Sequence, residues 1–336
     1  MVHAIETQGL TKIYGNKVAV ADSNLHVDDR EIFGLLGPNG AGKTTTAKML
    51  ATLLRPTSGR AWVGGFDIVK ERGKIRKIMG YLPQQLTSDD TLTGYENLLF
   101  YAKLYGLSRE LREKRIGEAL GLVGLRDSSR QMVGTYSGGM KRRLELASVL
   151  VSRPRILFLD EPTLGLDPRS RRLVWDFLKD LRDSFETTIF LTTNYMDEAD
   201  KLCDRVAIID LGKIVVDGPP ARLKESVGGD VIALKMNGTQ TNAQEALKSH
   251  PYVKHVEFAN DSARLIIEGK SGENTIPLVL ADLRAKGVEV VSVTLHKPSL
   301  DDVFTRYTGK RFVREVAMGG PRRMKQRARM LRAVRQ

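Results

Sequence analysis

Apolar and polar positions alternate with a period of two from Ala4 to Asp28, broken at Tyr14-Gly15-Asn16, which predicts two strands and a turn. Glu31-Ile32-Phe33-Gly34-Leu35-Leu36 predicts a short buried strand, followed by a glycine-rich loop and a helix from Lys43 to about Leu54. Arg55-Pro56-Thr57-Ser58-Gly59 reads as a turn, 60–69 as a small hairpin around Gly64-Gly65, and 78–82 as another strand. From 86 to about 150 the period becomes helical. Thr93 and Glu96 have capping-box spacing, and Tyr95, Leu98, Leu99, Ala102 and Tyr105 mark one helical face. A charged helix is expected over roughly 108–123, and another from Ser137-Gly138-Gly139 to about 151. Three short apolar runs then follow, Ile156–Leu159, Thr188–Thr193 and Arg205–Ile209, separated by helical stretches. That is the pattern of a parallel sheet buried on both faces. After a hairpin near Ile214–Asp217, Gly218-Pro219-Pro220 opens an expected linker that ends near Gly228-Gly229. The rhythm then restarts: strand 231–236, helix 241–249, strands 252–259 and 263–268, helix 275–286, strand 288–296. This βαββαβ order predicts a small α+β, ferredoxin-like unit.

A chain of 336 residues with 41% hydrophobic and 28% charged residues has enough apolar material for two domains, which excludes wholesale disorder. Its one cysteine, Cys203, excludes a disulfide framework within the chain and any cysteine-based metal cluster. No apolar run reaches the ~18–20 residues of a membrane-spanning helix, so any membrane-spanning part is expected on another chain. The first ten residues include Glu6 and lack the apolar centre of a secretory leader. The net charge of +13 is concentrated at one end: 309–336 holds ten Lys/Arg against the single acid Glu315. That distribution argues against a nucleic-acid binder, whose basic charge would spread over a face. In the tail, Met324, Ala328, Leu331 and Val334 share one helical face; a solvated extension, a basic helix lying on anionic lipid and, third, a nucleic-acid contact are the readings this leaves.

Gly37-Pro38-Asn39-Gly40-Ala41-Gly42-Lys43-Thr44 fits the phosphate-loop spacing G-x-x-x-x-G-K-T/S between a predicted strand and a predicted helix. Glycines let backbone N–H groups converge on an anion, and the helix start adds its dipole. Lys43 can reach the β- and γ-phosphates, Thr44 can ligate Mg²⁺, and Thr45 can bond a phosphate oxygen. Downstream, Ile156-Leu157-Phe158-Leu159 ends in Asp160-Glu161. Carboxylates at the carboxyl end of a parallel strand face the ligand crevice. Asp160 is expected to hold Mg²⁺, and Glu161 to orient or deprotonate an attacking water.

Tyr136-Ser137-Gly138-Gly139-Met140, 23 residues before Asp160 when counted from Ser137, resembles the LSGGQ signature of ATP-binding cassette (ABC) ATPases. The resemblance implies a P-loop NTPase fold, with a RecA-like parallel core, an antiparallel β subdomain and an α-helical subdomain at about 86–150. It also implies that Tyr14 stacks on adenine, that Gln84 (or Gln85) touches Mg²⁺ and senses a membrane partner, and that Asp167 crosses a dimer interface. Ser137, Gly138 and Gly139 would complete the ATP site of a second nucleotide-binding subunit, most simply in a homodimer. Lys297-Pro298-Ser299-Leu300-Asp301-Asp302-Val303-Phe304 is similar to the end of the accessory domain in exporter ATPases of the daunorubicin-resistance subfamily. The organisation expected is a nucleotide-binding domain at 1–220, a linker at 221–230, an accessory domain at 231–308 and a basic tail at 309–336. An ATPase subunit is expected, peripheral on the cytoplasmic face of the membrane and driving a separate permease. One departure is Asn194, where the family usually has a histidine facing the γ-phosphate. An amide can donate to phosphate but carries no charge. Two other readings stay open: a soluble ABC ATPase acting on ribosomes or nucleic acid, and a regulatory half with weak hydrolysis.

Overall fold

The computed structural model describes residues 3–237, 240–248, 250–259, 262–267 and 272–310. The tail beyond 310, including the stripe from Met324 to Val334, lies outside the described residues. In chain order the first elements are β1 (Ile5–Tyr14), β2 (Lys17–Val27), β3 (Ile32–Leu36), α1 (Lys43–Leu50), β4 (Ser58–Val63), β5 (Phe66–Asp67), α2 (Arg72–Ile78) and β6 (Met79–Leu82). A helical stretch follows, with α3 (Gly94–Leu104), α4 (Arg109–Leu122) and α5 (Gly138–Leu150). Then come β7 (Ile156–Asp160), α6 (Pro168–Phe185), β8 (Thr188–Thr193), α7 (Met196–Leu202), β9 (Arg205–Asp210), β10 (Lys213–Gly218) and α8 (Pro220–Ser226). The last elements are β11 (Val231–Asn237), α9 (Gln240–Lys248), β12 (Val253–Ala259), β13 (Ser262–Ile267), α10 (Gly272–Ala285), β14 (Glu289–His296) and α11 (Leu300–Thr308).

The central sheet has the order β10-β9-β3-β8-β7-β6, with all strands parallel except β10. Its strands read as continuous apolar runs because successive side chains enter two different cores. Ile32, Leu36, Leu157, Leu159, Ile189, Leu191, Val206 and Ile208 face the core shared with α3 to α7. Phe33, Leu35, Ile156, Phe158, Phe190, Ala207 and Ile209 face the core shared with α1 and the antiparallel sheet β2-β1-β4-β5. Phe33, Phe190 and Phe158 cross that second core as a ladder with ring centroids 5.6 and 5.7 Å apart. The helical subdomain packs on the first core through Leu98 and Ala102 of α3, Ile116 and Leu120 of α4, and Leu144, Leu146 and Val149 of α5. The expected capping box at the start of α3 forms between Thr93 and Glu96.

The C-terminal sheet has the order β12-β13-β11-β14, antiparallel throughout, with α9 and α10 as crossovers, the topology of a split βαβ unit. Its core, built on Leu234, Leu247, Leu265, Val279 and Leu283, is separate from the other two. Two features differ from the sequence reading. The stretch expected as linker from 221 opens inside helix α8. Pro220 supplies the fixed φ that suits a first helical turn, and Leu223 is buried. Helix α11, inside the segment expected to form the accessory domain, packs on α7, α8 and β10. Its Leu300, Val303 and Phe304 belong to the first core and not to that of the C-terminal sheet.

Candidate active site

Strand β3 delivers the chain to the carboxyl end of the central sheet, where the phosphate loop turns into α1. Gly42 has φ +113°, and a Cβ there would lie 2.5 Å from the Ala19 carbonyl, so only glycine fits. The first turn of α1 places Lys43 inward, 4% exposed. Its Nζ donates to the carbonyls of Gly37 at 2.8 Å and Pro38 at 3.1 Å and lies 3.5 Å from Glu161 Oε1. Burial pulls the Lys43 pKa down, and the Glu161 and Asp160 carboxylates oppose that shift.

The acidic pair sits at the end of β7. Asp160 Oδ1 accepts from Thr44 Oγ1 at 3.0 Å and from Thr192 Oγ1 at 2.6 Å. Glu161 has a left-handed backbone, φ +49°, uncommon for a residue with a Cβ. Its N–H donates to Thr192, to the carbonyl and to Oγ1, each at 3.1 Å. Its Oε2 accepts from Gln84 Nε2 at 3.0 Å. Of the two candidate glutamines, Gln84 therefore makes this contact.

Lys43, Glu161 and Gln84 line an open cleft of about 430 Å³ with Tyr14, Lys17, Ala19, Asn39, Gly40, Gly42, Thr44 and Thr45, and Asp160 sits behind it, bonded to Thr44. Tyr14 is half exposed at its rim, with Lys12 Nζ 5.2 Å from the ring centroid. Ala41 lies in the loop's buried underside and accepts from Gly212 N–H at 2.9 Å. Asn194 follows β8, whose Thr193 carbonyl accepts from Gly37 N–H at 3.3 Å. Its Oδ1 is buried with no hydrogen-bond partner among the described residues.

Ser137, Gly138, Gly139 and Asp167 are not among the cleft's lining residues. Ser137 caps α5, accepting from Met140 N–H at 3.2 Å. Asp167 caps α6, accepting from the N–H groups of Arg169 and Ser170, both at 3.0 Å. The two caps are neighbours: a Cβ on Gly139 would lie 2.8 Å from Ser170 Oγ.

Sequence reasoning missed several residues that hold this site. Thr192 bonds both Asp160 and Glu161. Arg142 of α5 donates to the carbonyls of Asp160 and Glu161. Glu198 is fully buried on α7, where Oε1 accepts from Thr163 Oγ1 at 2.7 Å and Trp175 Nε1 at 3.0 Å. Burial pushes its pKa up. In the sequence, Thr192 reads as a strand residue and Arg142 as part of a solvated basic run, so neither carries a local signal.

The oxygen set at the cleft suits a hard divalent cation. Thr44 Oγ1 and the Asp160 carboxylate converge within 3.0 Å, and magnesium sites combine one or two such ligands with water and phosphate oxygens.

The ABC transporter family pattern matches residues 20–164, and the pattern for the C-terminal domain of DrrA1-3-like ATP-binding proteins matches 218–308. The daunorubicin/doxorubicin resistance ATP-binding protein DrrA of Streptomyces peucetius is 43% identical over 310 residues, 91% of this chain and 92% of that one. The linearmycin resistance ATP-binding protein LnrL of Bacillus subtilis is 36% identical, covering 91% of this chain and 98% of that one. Among solved structures, the ATP-binding cassette MJ0796, a dimer in a post-hydrolysis state with ADP and Pi, matches with TM-score 0.59 and 25% identity, over 64% of this chain and 98% of that one. With its phosphate loop, its acidic strand end and this likeness over most of its length, the chain belongs to the ATP-binding proteins of the ABC transporter family, in the daunorubicin-resistance subfamily, and is an ATPase.

Proposed function

We propose that this chain is the nucleotide-binding subunit of an exporter, working as a dimer that drives a separate membrane permease. The observation that carries the reading is the convergence of Lys43, Glu161 and Gln84 at one cleft, with Asp160 bonded to its Thr44 and the signature residues outside its lining. In the proposed complex the adenine of ATP stacks on Tyr14. The β- and γ-phosphates lie in the N–H nest of Gly40 to Thr45, and Lys43 exchanges its carbonyl partners for phosphate oxygens. Thr44, Asp160 and Gln84 hold Mg²⁺, which when bound neutralises phosphate charge. Glu161 orients a water in line with the γ-phosphate and accepts its proton as ADP and phosphate form. The Asn194 amide, turned to present Nδ2, donates to the γ-phosphate in place of the family's histidine.

Ser137, Gly138 and Gly139 cap the γ-phosphate held by a second subunit, and Asp167 lies at the joint between the two. Beyond Gln84, Leu86, Phe100 and Leu104 are exposed apolar side chains and are the residues proposed to meet the permease. The contact of Thr87 Oγ1 with Tyr101 Oη at 3.2 Å holds that loop against α3. No helix among the described residues is long and apolar enough to cross a membrane. The proposed permease contact would hold the chain at the cytoplasmic face of the membrane. The cargo is taken to be a small molecule exported from the cell, since the relatives' names specify antibiotic resistance or export.

Turnover of MgATP by the full chain and by Glu161→Gln, each over a range of protein concentrations, tests the proposal. Turnover that rises more than linearly with concentration and is lost in the variant is expected. Strictly linear turnover removes the dimer, and full turnover in Glu161→Gln removes the role given to that carboxylate.

A further inference from the structure

Arg142 and Glu145 lie one turn apart on α5, with side chains 4% and 2% exposed, and neither lines the nucleotide cleft. Their ion pair, 3.3 Å between Arg142 Nη1 and Glu145 Oε2, uses little of their bonding capacity. Arg142 Nε donates to the carbonyl of Pro162 at 2.7 Å and Nη1 to that of Pro83 at 2.9 Å. Nη2 donates to the carbonyls of Asp160 at 3.2 Å and Glu161 at 3.1 Å. Glu145 Oε1 accepts from the backbone N–H of Ser88 at 3.0 Å and from that of Thr87. One buried pair thus grips two loops by their backbones: 160–162, which carries the catalytic carboxylate, and 83–88, which carries Gln84.

The grip falls where the backbone is strained. A non-glycine residue at φ +49° persists only where its surroundings over-determine it. The Glu161 N–H is held by Thr192 of β8, and its carbonyl is held by Arg142. That peptide aims the carboxylate at Lys43 Nζ, 3.5 Å away, and at Gln84 Nε2, 3.0 Å away. A planar guanidinium with five fixed donors can serve four carbonyls and a carboxylate at once, whereas an ammonium cannot.

We propose that Arg142, braced by Glu145, is a positioning residue that couples the backbone of the Gln84 loop to the backbone of Glu161. A partner that displaces residues 83–88 then changes the aim of the catalytic carboxylate without touching the nucleotide. The inference rests on Glu161 acting as proposed above and deepens that reading by naming how the carboxylate is controlled. Because Ser137 caps α5, the same helix ties a subunit's own carboxylate to the signature it offers its neighbour.

The test compares Arg142→Lys with the parent in the full chain, in the wild-type and Gln84→Ala backgrounds. Lysine keeps the charge facing Glu145 and loses the fork. In the wild-type background kcat is expected to fall about tenfold while KM for ATP stays within about threefold. In the Gln84→Ala background the same substitution is expected to cost less than about twofold, because the two residues act through one connection. Amide exchange, read without ATP, is expected to quicken at both 83–88 and 160–163. Equal losses in the two backgrounds, a change confined to KM, or unchanged exchange at either loop overturns the coupling. Should Arg142→Lys not fold, Glu145→Gln carries the same comparison: its amide NH2 would face Arg142 Nη1, donor against donor, so the arginine loses its brace. Full turnover in Glu161→Gln would remove the catalytic reading alone, and the exchange measurement would still decide the connection between the loops.

Discussion

Two glycine-rich turns lead into helices α1 and α5, and they are built on opposite terms. The turn before α1 is required by its own subunit. Gly42 has φ +113° with no room for a Cβ beside Ala19, and Lys43 is buried against Glu161. The turn before α5 is mixed: Gly139 is tight within its own subunit, a Cβ there lying 2.8 Å from Ser170 Oγ, and Gly138 is not. A Cβ on Gly138 would meet nothing within 4 Å among the described residues, and the Ser137 side chain serves only as a cap. Packing within the subunit does not require glycine at 138, and the proposed function places the requirement on the nucleotide of a neighbouring subunit.

The largest effect that sharpens this contrast is expected from Lys43→Ala. Removing the buried cation that the proposed function sets against the phosphates should lower MgATP turnover by about a thousandfold, since preorganised charge in a water-poor site supplies much of such catalysis. Next come the two glycines. Gly42→Ala should cost about 2–3 kcal/mol in urea unfolding, through strained φ and overlap with Ala19. Gly138→Ala should change stability by less than about 0.5 kcal/mol while lowering turnover about tenfold. The reverse pattern, a costly Gly138→Ala with normal turnover, would break the comparison.

A smaller effect concerns Glu198. Burial holds its carboxyl above the ordinary range, so the native state binds this proton more tightly than the unfolded chain does. The resulting stabilisation is complete below the unfolded pKa of about 4.3 and is lost as pH rises through the folded value. Glu198→Gln cannot titrate, and its amide oxygen can still accept from Thr163 and Trp175. Its unfolding free energy relative to wild type should therefore increase from pH 4 to pH 8, and a constant difference would contradict the assignment. The smallest effect is expected from Asn194→His. Wild-type turnover should show no limb between pH 5.5 and 7.5 from a group at this position. The variant should gain a limb near pH 6.5 of a few-fold amplitude. Identical pH profiles would place residue 194 outside the reaction.

The contrast also separates what could be read in the sequence from what could not. The phosphate loop, the Asp160-Glu161 strand end and the apolar runs of β3, β7, β8 and β9 are local patterns, each set by neighbours in the chain. Helix α8 was hidden because Gly218-Pro219-Pro220 also reads as a turn, and the outcome depended on Leu223 finding a core. Helix α11 carries a visible capping pair, Ser299 and Asp302, but nothing local says that Phe304 belongs with α7 and α8. Arg142 and Glu145 were the least legible. In Lys141-Arg142-Arg143-Leu144-Glu145 they look like a charged helix face, yet their partners lie at Pro83, Ser88 and Pro162. Such contacts exist only once the sheet and α5 have come together.

The claim that most needs testing is that Ser137, Gly138 and Gly139 complete a site in another subunit. Lys43→Ala and Gly138→Asp, each inactive by itself, can be purified separately and then mixed. If the site spans two chains, a mixed dimer joins the intact Lys43 of one variant to the intact signature of the other. Turnover should then appear in the mixture, depend on subunit exchange, and vanish when Glu161→Gln is added to the variant that retains Lys43. A mixture as inactive as its components, with mixed dimers shown to form, would contradict the account.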